Sequence, residues 1–70
     1  MADYTLRYFV SSGDGKRKNA GVWSARSFAS DEEAIAGFQK DCATIRHNYR
    51  GYETIALTIF EGGRQVPFDL

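Results

Sequence analysis

The sequence predicts an α+β fold: a two-layer β-β-α-β-β chain with a four-stranded antiparallel sheet, order 2-1-3-4, and one helix on one face. Three observations predict it. Ile35, Phe38, Cys42, Ile45 and Tyr49 recur at spacings of three and four, the period of one helix face. The segments on either side alternate apolar and polar residues, the period of a half-buried strand. Those segments come as two pairs, one before the helix and one after it, each joined through glycine-containing residues.

The first strand is expected over Tyr4–Val10, with Tyr4, Leu6, Tyr8 and Val10 on one face and Thr5, Arg7 and Phe9 on the other. Ser11–Gly21 reads as a loop, with three glycines and the run Lys16, Arg17, Lys18. The second strand is expected over Val22–Ala29. Arg26 shares a side with Val22 and Phe28, so Trp23 and Ala25 are assigned inward and Phe28 outward.

The helix is expected over Ser30–Tyr49. Ser30 followed by Glu33 is a capping box. Asp31, Glu32 and Glu33 meet the positive end of the helix dipole, and Arg46, His47 and Arg50 meet the negative end. Gly51 suits a left-handed stop. The third strand, Tyr52–Glu61, sends Ile55, Leu57 and Ile59 inward and Tyr52, Ala56 and Phe60 outward. Gly62-Gly63 is a two-residue hairpin turn. The fourth strand, Arg64–Leu70, turns Val66, Phe68 and Leu70 inward and contains Pro67, which suits a sheet edge.

With two hairpins joined through one helix, placing the first strand beside the third makes every neighbouring pair antiparallel. That topology sorts the charges. Lys16, Arg17 and Lys18 fall at the end where the helix finishes, near Arg46, His47 and Arg50. Asp3, Asp31, Glu32, Glu33 and Glu61 fall at the other end. A chain of zero formal charge, with nine basic and nine acidic residues, is thereby polar from end to end.

Seventy residues bound the reading to a single domain, 1–70, with a modest core. The apolar fraction of 43% and aromatic fraction of 14% are those of a globular chain. One cysteine excludes an internal disulfide and fits a reducing, cytoplasmic setting. There is no signal core and no apolar run long enough to cross a bilayer, so no membrane role is expected.

Chemistry is sparse. Cys42 lies on the apolar stripe and reads as core, and His47 in the last helical turn reads as a partner of the dipole. The acidic run reads as a helix start, since adjacent carboxylates diverge and no histidine lies at ligand spacing. Gly13-Asp14-Gly15-Lys16 departs from the phosphate-loop pattern and no helix follows it. No catalytic residue, metal or cofactor is expected. Three surfaces remain as binding candidates. The acidic end, with Asp31, Glu32, Glu33 and Glu61, suits a basic protein surface. The open sheet face, with Phe9, Phe28 and Phe60, suits a protein partner or a second copy. The basic end, with Lys16, Arg17, Lys18, Arg46, Arg50 and Tyr52, is the nucleic-acid alternative.

In size and plan, the sheet-plus-helix chain built from Tyr4–Val10, Val22–Ala29, the Ser30 helix and Tyr52–Leu70 resembles small phage-encoded inhibitors of bacterial defence, the anti-CRISPR class. That resemblance implies a non-catalytic, cytoplasmic protein that occludes a surface of a large nucleoprotein complex. The DNA-mimicking members are strongly acidic and this chain is neutral, so only its acidic end is suited to imitate phosphates.

Overall fold

A computed structural model describes residues 1–68. In chain order it contains β1 (Ala2–Ser11), β2 (Lys18–Phe28), α1 (Asp31–Asn48), β3 (Thr54–Glu61) and β4 (Arg64–Val66). The strands form one antiparallel sheet in the order β2-β1-β3-β4, as the pairing argument requires. Tyr4, Leu6 and Val10 of β1 and Ile59 of β3 turn toward the helix, which answers with Ala34, Phe38, Cys42 and Ile45. Val66 closes the core from β4. The periods of two and 3.6 read from the sequence meet in this layer.

The helix starts as its residues dictate. Ser30 is the N-cap, extended at φ −153°, and its hydroxyl accepts the Glu33 amide at 3.2 Å. Its far end differs from expectation. Gly51 is not left-handed. Asn48 is the last helical residue, Tyr49 caps it at φ −112°, and the Tyr52 amide donates to the Tyr49 carbonyl at 2.9 Å. Tyr52 therefore belongs to a turn, and β3 begins at Thr54.

The second strand corrects the sequence reading most. Leu6 pairs with Ser24 and Arg7 with Val22, so Trp23 is an extra residue and β2 carries a bulge. A strict period of two cannot bury both Trp23 and Phe28. The bulge shifts the phase between them, so both turn inward. Trp23 packs edge-on against Tyr8 at 5.7 Å, as expected of an inward residue. Ala25 is exposed instead of inward, and Phe28 is buried in the core instead of facing out. Arg26 lies on the helix side, its guanidinium 5.0 Å from the Phe28 ring and donating to the Gly37 carbonyl at 3.1 Å. An edge strand tolerates this because a long side chain can cover apolar rings while its charged head stays wet.

Two boundaries also move. Lys18 to Gly21 belong to β2 and not to a loop, because Lys18 pairs with Ser11 and Gly21 with Tyr8. The fourth strand is shorter than expected and ends at Val66, since Pro67 cannot donate to the ladder. Phe68 still packs against the core. Asp69 and the inward assignment of Leu70 lie outside the described residues. Gly62 takes φ 61° in the two-residue turn between Glu61 and Arg64, a conformation glycine adopts without strain.

Candidate functional site

The three candidate surfaces occupy two ends and one face of the sheet. At the acidic end, α1 begins beside the β3–β4 turn. That turn sets Arg64 opposite Glu61, and Arg64 bridges Glu61 at 2.8 Å and Asp31 at 2.8 Å. Tyr4, whose ring is buried, donates its hydroxyl to Asp31 at 2.6 Å. The Arg64 and Tyr4 hydrogen bonds hold the Asp31 carboxyl below its ordinary range. The same bond to Asp31, with burial, raises the Tyr4 phenol from 10.0 to about 12. Asp31 and Glu61 are thus spent on Arg64, which leaves Asp3, Glu32 and Glu33 as the exposed charges there.

This network has a pH signature at both extremes. Asp31 has a lowered folded value, so its contribution is present above the ordinary aspartate value and is lost as pH falls through the lowered one. Tyr4 has a raised value, so its contribution is complete below pH 10.0 and is lost as pH rises through about 12. In an ultraviolet titration of the phenolates, one tyrosine should ionise only near pH 12. Tyr4→Phe should remove that last step alone. A late step that survives Tyr4→Phe would assign the raised value to another ring.

At the basic end, the β1–β2 loop meets the helix C-terminus, as the topology requires. Asn19 donates to the Tyr49 hydroxyl at 3.3 Å, and the Arg17 guanidinium sits 5.3 Å from the Tyr52 ring centre. Trp23, Tyr8, Tyr49 and Tyr52 form a continuous aromatic chain, with centroids 5.7, 5.7 and 5.4 Å apart. A hydrogen bond with Tyr49, then burial, raises the Tyr8 phenol. Arg50 donates to the His47 carbonyl at 2.8 Å, so Arg50 and not His47 caps the last turn. Tyr52 and Arg17 cover each other, so the Tyr52 ring is only partly available to a stacked base. The Gly13–Lys16 loop spends two of its amides internally. Gly15 N–H bonds the Ser12 carbonyl, and Lys16 N–H bonds Asp14, whose carboxyl is lowered first by Ser12 and then by that amide. Lys16, Lys18 and Arg46 are exposed.

The outer sheet face lies opposite the helix. Cross-strand partners share a face, so Ala25, Thr5, Phe60 and Gln65 form one transverse row. Val22, Arg7 and Thr58 form the next, and Ala20, Phe9 and Ala56 the third. Phe9 is 40% exposed and Val22 55%. Two open depressions of about 320 and 210 Å3 meet at Arg7 and Phe60. Of the aromatics assigned to this face from sequence, Phe9 and Phe60 are there, while Tyr52 sits in the turn before β3 against Tyr49. Phe28 is in the core and cannot dock a partner.

Sequence reasoning set Arg7 on this face but left it out of the candidate site, and it missed Arg64 at the acidic end. The alternation of Arg7 with Phe9 was the signal for the first. The two-residue turn that sets Arg64 against Glu61 was the signal for the second. Among the described residues, no group of three or more His, Cys, Asp or Glu side chains is placed to hold a metal ion. Cys42 is a free, buried thiol whose titration burial pushes up. Among the described residues, no helix is long and apolar enough to cross a membrane. Compared with known proteins, the chain matches no family model, no curated protein and no solved structure.

Proposed function

We propose that this chain is a small non-catalytic protein-binding module that docks through its outer sheet face. The observation that carries this reading is the apolar patch that runs across the three rows of that face. Phe9 and Val22 stand exposed beside Phe60, Ala20 and Ala56, with only Arg7 charged among them. An apolar face that no element of the described chain covers is the usual mark of an interaction site. The acidic end supports docking less well, because Arg64 engages Asp31 and Glu61 there. The basic end supports the nucleic-acid alternative less well, because the Tyr52 ring and the Gly15 and Lys16 amides are engaged within the chain. The resemblance in size and plan extends this reading to an inhibitor that occludes a surface of a bacterial defence complex in the host cytoplasm.

The test separates the three surfaces. Phe9→Asp should leave the melting temperature within a few degrees of wild type, since the ring is already 40% exposed. It should abolish capture of a protein partner from nuclease-treated bacterial lysate. Glu32→Lys with Glu33→Lys should weaken capture less. Retained capture by folded Phe9→Asp would end the sheet-face reading. Tight binding of a single-stranded oligonucleotide that falls steeply with salt and is lost in Arg46→Glu with Arg50→Glu would favour the nucleic-acid alternative. Cys42→Ser and His47→Ala should each retain binding if folded. Loss in folded His47→Ala would return chemistry to consideration.

A further inference from the structure

From the charge pattern of the outer face, we infer that its occupant is a second copy of this chain, stacked sheet on sheet about a two-fold axis. The inference rests on the sheet-face reading above and names the partner for it. The axis lies across the strands, along the row Ala25, Thr5, Phe60, Gln65. Turning one sheet over about that row lays β1 antiparallel on the partner's β1.

The outward residues of β1 explain the choice of axis. Asp3 and Arg7 sit two positions either side of Thr5, and both point outward. About the Thr5 row, Asp3 of one copy faces Arg7 of the other, and the reverse, so the face is complementary to itself. Asp3 accepts the Ser27 hydroxyl on one oxygen at 2.8 Å, which leaves the other for a guanidinium. Among the described residues Arg7 has no ion-pair partner within its own chain. A parallel stack, with the axis along the strands, would oppose Arg7 to Arg7 in the middle of an apolar face. That arrangement is disfavoured by like-charge repulsion.

Phe60 lies on the axis and meets its own copy, flanked by Thr5 and Gln65. Stacked sheets sit about 10 Å apart with strands within about 30°, a spacing that long arginine side chains bridge. The molecule measures 40 × 22 × 17 Å. An axis along the Thr5 row overlaps β1 of the two copies only from Ala2 to Tyr8, so the stacked area is part of the broad side and falls short of the about 800 Å2 that a standard stable interface takes from each partner. A weak dimer is expected. Zero formal charge places no long-range repulsion between copies.

Sedimentation of the full chain tests the inference. Wild type should approach twice its 7.9 kDa mass at high concentration and dissociate on dilution. Asp3→Arg makes both contacts Arg against Arg, and Arg7→Asp makes both Asp against Asp. Each alone should weaken self-association at least tenfold while keeping its melting temperature. Mixed one to one, the two variants should dimerise with each other, because each then supplies what the other lacks. Wild type that stays monomeric, or reversals that dimerise as well as wild type, would overturn the inference. A monomeric wild type that loses foreign-protein capture on Phe9→Asp would overturn self-association alone. A dimer indifferent to both reversals and to Phe60→Asp, in a chain whose capture survives Phe9→Asp, would overturn the sheet-face reading as well.

Discussion

Phe38→Ala should leave little folded protein. Phe38 is completely buried at the middle of α1, edge-on to Phe28 at 5.2 Å and beneath the Arg26 guanidinium at 6.0 Å. Truncating a buried phenylalanine costs about 3–5 kcal/mol. Domains as a rule hold about 5–15 kcal/mol in all, and short chains lie at the low end. The gap has little means of closing. Ala34 and Ile45, both fully buried on the same helix face, hold the helix at its distance from the sheet. A urea titration should show the midpoint falling to near zero denaturant, and Phe38→Leu should lose less. A Phe38→Ala protein that melts within a few degrees of wild type would mean that the helix does not pack where the structure puts it.

Gly37→Ala should destabilise, against the usual sign. In a helix interior that change gains about 1 kcal/mol from propensity alone. Here an added Cβ would lie 2.6 Å from Cζ of Phe28, closer than real Cβ atoms come. The ring is held on three sides, by Tyr4 at 5.9 Å, Phe38 at 5.2 Å and Arg26 at 5.0 Å. Overpacking of this kind costs about 1–3 kcal/mol, enough to cancel or reverse the propensity gain. Phe28→Leu should be better tolerated in the Gly37→Ala background than in wild type, a coupling that a double-mutant cycle measures. A Gly37→Ala protein more stable than wild type would sink the prediction. It would also question the burial of Phe28.

The outcome at residues 22 to 28 shows where sequence reading stops. Alternation is legible only while the period holds, and the bulge at Trp23 breaks it two residues after Gly21, a glycine that reads as loop in the sequence. Choosing the face by charge then failed, because Arg26 covers rings at a sheet rim and stays exposed. The same limit applied to the acidic end. Asp31 and Arg64 are thirty-three residues apart, and no local pattern joins them.

From sequence alone came the element order, the sheet order, the capped helix with Phe38, Cys42 and Ile45 on its buried face, and the inward residues of β1 and β3. Each follows from short-range physics: periodicity, capping and turn chemistry act over a few residues and are written in consecutive letters. The tertiary structure alone decided which side of β2 faces the core, which carboxylates remain free, and which rings are already covered. It also set Asp3 and Arg7 on an uncovered face on either side of Thr5. These depend on contacts between residues far apart in the chain, where packing and charge pairing select among conformations that local preference leaves nearly equal in energy.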